Sequence, residues 1–260
     1  MMRSGKFRFC YICFAVLVAL VPWLRADVEE PEAKDRDEFS GKKIATQNDG
    51  YEIIKERFYN APRYGDPAPD FELIDQKTGE KVTLASLRAE KPVVLMFGSW
   101  GCDVMRNGFW SVLKSYETYR DRYHFVMIYV REAHSLDGTE KIDVERARVV
   151  DPETFAERSL AAASCRVAVK IPFQILLDTM DDKVATRWAG WPVRLFVVDR
   201  DGTVAYSGKP GPWGFNPGGG FKSELADQLR PHAERFNQES LEEFLAKREQ
   251  EKEEDTVDGQ

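Results

Sequence analysis

Cys102 stands at the end of the run Gly98-Ser99-Trp100-Gly101, between an apolar stretch and a segment with helical spacing. A thiol at the start of a helix faces unpaired backbone N–H groups and partial positive charge, which favour thiolate over thiol. A free cysteine titrates at ~8.5, and such a site lowers this by one to several units. A free cysteine is also often only a small core residue, but a glycine-bounded loop is a poor place for one. The following residues are Asp103-Val104-Met105, so the second thiol of a Cys-x-x-Cys pair is missing. Cys102 therefore cannot close a disulfide on its own helix. The chemistry expected is that of a single thiol, which attacks an electrophile and is regenerated by another thiol. Cys165 is the internal candidate for a resolving thiol, although a core cysteine is its plainer reading.

Neighbouring residues bear on this thiol. Ser99 is placed to donate a hydrogen bond to it. Arg106, one helical turn on, and Arg194, beside Pro192, would stabilise a thiolate, whereas the adjacent carboxylate of Asp103 works against it. Trp188, Trp191, Trp213 and Phe215 supply either an aromatic ligand wall or core.

The elements that must position these groups alternate. Ala68–Ile74 and Lys81–Leu84 flank a turn, and a short helix starts at Ala85–Arg88. Pro92–Phe97 and Phe125–Val130 are continuous apolar runs suited to strands buried on both faces. Residues 103–123 have helical spacing between them. A helix over Pro152–Ser164, with Asp151 as its cap, leads to a third such strand, Phe173–Leu177. Arg194–Val198 and Val204–Ser207 pair across the turn Asp199-Arg200-Asp201-Gly202, and Lys222–Phe236 closes with a helix. A β-α-β half followed by a hairpin and a helix is the thioredoxin arrangement: an α/β fold, its mixed central sheet covered by helices on both faces. Pro192 precedes the fourth strand, where that fold places a cis-proline facing the reactive thiol.

The chain has 260 residues, 43% apolar and 31% charged, with a formal net charge of −7. An acidic balance argues against a phosphate-led nucleic-acid binder. Three histidines and four cysteines, without metal spacing, argue against a zinc framework. Residues 1–26 read as a secretory signal: Arg3, Lys6 and Arg8, an apolar run Phe9–Leu24, then Ala26 at the cut. The run is short of the ~20 residues of a spanning helix, so retention of residues 9–24 as a membrane anchor is the alternative. Without this segment 33 basic residues face 44 acidic ones, a net charge of −11, and Cys102 and Cys165 are the remaining cysteines. The expected location is periplasmic, extracellular or lumenal, an oxidising setting in which the two thiols can pair. Residues 27–60 read as a linker leading to a short helix, 61–236 as the thioredoxin-like domain, and 237–260 as a charged helical tail, solvated and frayed from Glu249 on.

The chain resembles the iodothyronine deiodinase family over about residues 62–230. The resemblance rests on Phe97-Gly98-Ser99 before Cys102, on Ile128-Tyr129-Val130-Arg131-Glu132-Ala133-His134-Ser135-Leu136-Asp137-Gly138, on Leu177-Asp178-Thr179-Met180 and on Arg194-Leu195. It implies that Cys102 stands at the position of the catalytic selenocysteine, with Ser99, Glu132 and His134 around it and Arg194 binding substrate. The implied reaction is reductive dehalogenation: the chalcogenolate attacks iodine, the aromatic carbon takes a proton, and an external thiol restores the enzyme. Chemically, His134 suits a proton donor because imidazole titrates near neutrality. Glu132 would orient it, and Arg194 would take an anionic phenolate or carboxylate. A surface-loop histidine and a surface ion pair are the bland readings of His134 and Arg194. The sequence departs from the family pattern at Asp103 and Val104, where two prolines are usual, and at Trp100, where a cysteine is. A second histidine near Asp151–Arg158 is absent.

Expected partners are a small molecule, an aromatic halide or a peroxide, and a thiol reductant. No bound cofactor or metal is expected, and a homodimer is compatible with the sequence. Two other readings stay open: a peroxiredoxin-like thiol peroxidase, from the spacing Ser99-x-x-Cys102, and a weakly catalytic binding domain on the same fold.

Overall fold

The computed structural model describes residues 47–137, 149–212, 215 and 229–258. The signal segment, most of the linker, Gly138, Trp213 and the first part of the Lys222–Phe236 helix lie outside these residues. Among the described residues no helix is long and apolar enough to cross a membrane.

Helix α1 (Gln47–Arg57) leads through a 3₁₀ turn into strands β1 (Glu72–Asp75) and β2 (Lys81–Thr83). A one-turn helix α2 (Leu84–Leu87) precedes β3 (Val93–Gly98), α3 (Asp103–Tyr119) and β4 (His124–Tyr129). Then come α4 (Phe155–Val169), β5 (Gln174–Leu177), α5 (Lys183–Trp188), β6 (Arg194–Val198), β7 (Val204–Ser207) and α6 (Leu241–Asp258). The described residues form a seven-stranded sheet in the order β2-β1-β5-β4-β3-β6-β7. β3, β4 and β5 run parallel, while β6, β7, β1 and β2 add antiparallel neighbours. This is the thioredoxin-like topology expected, with the Trp191–Pro192 peptide cis just before β6.

Alternation along the strands divides the core. Val94 and Met96 of β3, Met127 and Tyr129 of β4 and Leu195 of β6 face the side covered by α3, α4 and α6. Val93, Leu95, Phe97, Val126, Ile128 and Phe196 face α1, α2 and α5. Both faces of β3 and β4 are thus buried, which is why those strands read as unbroken apolar runs.

Three local expectations are corrected. Helix α4 starts at Phe155, not Pro152, because Thr154 and Glu157 form a capping box there. Asp151, the expected cap, instead accepts a bond from Glu132 N at 3.1 Å. Helix α5 lacks a sequence signal because it is six residues long; the Asp178 carboxylate starts it by accepting from Val184 N and Ala185 N. The described turn at Arg230–Arg235 is 3₁₀ rather than α.

The tail is packed on the fold as far as Glu249, and residues 250–254 beyond it are exposed. Helix α6 runs to Asp258, packs on α3 and buries Leu241 and Leu245. Glu249 is buried too, accepting from Tyr123 Oη at 2.7 Å and Arg122 Nη1 at 2.8 Å. Leu245→Ala is expected to cost ~2–5 kcal/mol of stability, read as a lower urea midpoint, whereas exposed Glu251→Ala should change little.

Candidate active site

The ends of β3 and β4 lie side by side, tied by Val130 N to Gly98 O at 3.1 Å. Beyond them the chain makes two loops, Ser99–Gly101 and Arg131–His134, and these meet. Gly101 N donates to Glu132 Oε2 at 2.5 Å. Glu132 Oε1 accepts from Tyr129 Oη, which in turn accepts from Trp100 N at 3.1 Å. One buried carboxylate therefore holds the loop that presents Cys102. Arg106 closes that loop from the helix side by donating to Trp100 O.

Cys102 caps α3, and its Sγ accepts from Met105 N at 3.4 Å. The helix terminus is thus aimed at the sulfur as expected, but the outcome for the thiol is the reverse. The residue is 1% exposed. Burial pushes the thiol up to about 12, opposed by the Met105 N–H; Asp103 and Glu132 add repulsion and Arg106 offsets part of it. Desolvation of a thiolate outweighs one hydrogen bond and a partial helix charge. The resting group is a thiol.

Glu132 is equally buried. Burial raises its pKa to about 7, with Asp151 adding to the rise, while Tyr129, Gly101 and Ser99 favour the carboxylate. A group that titrates near neutrality beside a thiol can take or give a proton there. Ser99 is fully buried; its hydroxyl favours the Glu132 carboxylate and makes no standard hydrogen bond, and none to Cys102. Its expected bond to the thiolate is therefore not formed. Nor does Glu132 orient His134. Among the described residues the acid facing His134 is Asp103, with Nε2 and Oδ1 3.6 Å apart.

Arg194 is not beside the thiol. On β6 it shares its face with Phe196, over whose ring the guanidinium lies at 5.2 Å, and that face is covered by α1 and α5. Cys102 packs on the other face. The Arg194 Nε donates to Gly208 O at 2.9 Å, and Nη1 and Nη2, both buried, have no hydrogen-bond partner. Burial lowers its pKa to about 9, with Arg235 adding repulsion. A buried guanidinium with both terminal nitrogens open suits an anion. Cys165, on α4, is fully buried in the same cluster as Cys102, and both thiols are free. Burial pushes the Cys165 thiol far above the ordinary range. Trp188, Trp191 and Phe215 are buried, so they are core rather than an open wall.

Tyr129 and Asp151 are site residues that sequence reasoning passes over. Tyr129 has the periodicity of a core strand, and Asp151 has the look of a helix cap. A charge cluster backs the second loop: Arg131 Nη1 bonds Asp182 Oδ2 at 3.0 Å, and Arg158 Nη2 lies 3.6 Å from the same carboxylate. Gly101 has no room for a side chain, since a Cβ would sit 2.8 Å from Glu132 Oε2 and 3.1 Å from His134 O. Gly101→Ala should push the two loops apart and cost ~1–3 kcal/mol, with a larger proportional loss of Cys102-dependent turnover, read by urea unfolding beside a turnover assay.

A buried thiol capping the helix after β3, with a cis-proline before β6 and no second thiol on that helix, defines a thioredoxin-like fold without the Cys-x-x-Cys pair. The iodothyronine deiodinase family model matches residues 37–222, and the chain belongs to that family. It is 27% identical to type I iodothyronine deiodinase of Xenopus laevis over 172 residues, 64% of each chain. To thyroxine 5-deiodinase of Sparus aurata it is 26% identical, over 61% of this chain and 58% of that one. For the Sus scrofa enzyme of the same name the figures are 26%, 70% and 56%. The chain thus spans less than two thirds of the length of these relatives. Among solved structures it is similar to the thioredoxin domain of a thiol-disulfide oxidoreductase from Bacteroides vulgatus (TM-score 0.41, 17% identity, 65% of this chain and 96% of that one). A peroxidoxin from Mycobacterium tuberculosis is similar to the same degree (TM-score 0.41, 20% identity, 65% and 97%).

Proposed function

We propose that this protein is an exported thiol-dependent oxidoreductase that removes iodine from an aromatic substrate at Cys102. The observation that carries the reading is the junction of the two loops: the Glu132 carboxylate on Gly101 N, beside the thiol that caps α3. Membership of the deiodinase family supports the reaction class.

The steps balance with two external thiols. Cys102 gives up its proton, Glu132 being the acceptor at hand. The sulfur attacks iodine; an S–I bond forms, the C–I bond breaks, and the ring carbon takes a proton from His134. One reductant thiol displaces iodide and leaves a mixed disulfide on Cys102. A second releases Cys102 as thiol and leaves as disulfide. The aryl iodide is reduced to arene plus iodide, and two thiols are oxidised.

One observation favours a second reading, a binding domain with little catalysis: the resting thiol is buried and its pKa is raised to about 12. The same observation weighs against any reading that needs a standing thiolate, a peroxidase among them. The test is to incubate the full chain with an iodinated phenol and dithiothreitol, and separately with hydrogen peroxide and the same thiol. Iodide release above that of Cys102→Ser supports dehalogenation. Peroxide consumption alone would replace it with the peroxidase, and neither activity would leave the binding domain.

A further inference from the structure

Asp151 is buried, yet it does not serve the helix it precedes, because Thr154 and Glu157 cap α4. Its carboxylate turns to the loop after β4. There Oδ1 accepts from Glu132 N at 3.1 Å, and Oδ2 lies 3.9 Å from Arg131 Nη2. Its own N–H donates to Asp137 Oδ1 at 3.0 Å, and Leu136 N donates to Val149 O at 2.9 Å. Main chain and side chain together tie this segment to the loop. Glu132 is thereby held at both ends: its carboxylate on Gly101 N and Tyr129 Oη, its main chain on Asp151. A bond to one N–H needs only a neutral acceptor. A buried carboxylate beside another carboxylate costs more than an amide there, so what Asp151 adds over an asparagine is its charge.

We propose that Asp151 is a positioning residue of this site: it fixes the main chain of Glu132 and, through its negative charge, makes the Glu132 carboxylate a stronger acceptor for a proton. The inference deepens the reading of Glu132 as the group that takes the Cys102 proton, and rests on it.

The groups around Glu132 come from several elements. Tyr129 belongs to β4, Ser99 and Gly101 N to the loop after β3, Cys102 to the start of α3, Cys165 to α4, and Asp151 to the segment before α4. Burial raises the pKa of Glu132 first, and the Asp151 charge adds to the rise against Tyr129, Gly101 and Ser99. Burial raises Asp151 as well, with Asp182 adding to it, but Arg131, the Glu132 N–H and Arg158 favour its charged form. The guanidiniums thus stand on the Asp151 side. The charge that is costly to place is the second one, on Glu132, which therefore holds a proton more readily.

The test uses the full chain with Asp151→Asn and Asp151→Ser, which remove the charge and keep a side-chain oxygen facing Glu132 N. Thr154→Ala, which loosens the start of α4 and leaves Asp151 in place, is the control. Glutamate isotope-labelled at its side-chain carboxyl carbon reports Glu132 by NMR without interference from the aspartates, and the signal is assigned by its loss in Glu132→Gln. In both Asp151 variants the Glu132 midpoint should fall by about 0.5–1 pH unit. The acid limb of thiol-dependent iodide release from an iodinated phenol should move down by the same interval, with a plateau about 2–3-fold lower because the base is weaker. Thr154→Ala should lower the urea midpoint and leave the Glu132 midpoint where it is. A Glu132 midpoint that stays or rises in whichever Asp151 variant folds overturns the proposal, as does an equal fall in Thr154→Ala. Iodide release absent from every protein, with the fall present only in the Asp151 variants, overturns the dehalogenation reading and leaves the coupling of Asp151 to Glu132 standing.

Discussion

Cys102→Ser is expected to lower thiol-dependent iodide release by at least about 10³-fold, the scale seen when a reacting nucleophile is removed. Serine cannot form the bond to iodine or the mixed disulfide that follows. The position makes this substitution clean. Cys102 caps α3 with its side chain on Met105 N, and serine is among the preferred residues for that role. The fold should hold or gain slightly, so lost turnover reports chemistry and not unfolding. Cys165→Ser serves as the contrast. It puts a hydroxyl into an apolar cluster and should lower stability, but with an external thiol present it should leave turnover largely in place. A thiol with a pKa of about 12 is ionised to roughly one part in 10⁵ at pH 7. Alkylation of resting Cys102 should accordingly be far slower than that of a free thiol and should climb only at alkaline pH.

Glu132→Gln is expected to cut turnover by about 10²–10³-fold, in the range of a lost general acid–base group, while raising stability at alkaline pH. The two effects have opposite signs because the same burial serves both. In the folded chain the carboxyl titrates at about 7, against 4.5 for an exposed glutamate. The folded state therefore binds the extra proton between those values. Stability is greatest below 4.5 on this account and falls as pH rises through about 7, where a charge must be held in the core. The full cost is on the order of 3 kcal/mol. Glutamine carries no charge, keeps an acceptor for Gly101 N, and offers its amide N–H to Tyr129 Oη. Thermal unfolding of both proteins at pH 5 and pH 8 checks this. The variant should match the parent more closely at pH 5 and exceed it by several degrees at pH 8. A variant less stable at pH 8 would mean that the lost hydrogen bonding dominates.

The sheet could be read from the chain because its strands carry local signals. β3 and β4 are unbroken apolar runs, and β6 and β7 are joined by a short turn ending in Gly202, at φ +93. Pro192 marked the entry to β6. The two loops of the site were legible through Phe97-Gly98-Ser99 and Glu132-Ala133-His134, but their partners were not. Asp151 has the spacing of a cap, yet Thr154 takes that role and frees Asp151 for Glu132 N. That exchange depends on where β4 ends in space. The state of the thiol is not legible in the sequence for a similar reason. Helix position is local and favours thiolate, whereas desolvation depends on Met105, Phe109 and the strands packing around the sulfur. Arg194 lies two residues after Pro192 and turns to the face opposite Val193 and Cys102, as strand alternation requires one residue after Val193. The tail looked solvated because its charges outnumber its apolar residues; a few of them, with Glu249, suffice to seat it on α3.

The most direct measurement of the Cys102 assignment is a single turnover with an iodinated phenol and one equivalent of a small thiol, quenched in acid and read by peptide mass. The expected result is one iodide per phenol formed, with the small thiol found as a mixed disulfide on the Cys102 peptide. Iodide release that persists in Cys102→Ser, or that occurs with the adduct on Cys165 alone, would contradict it.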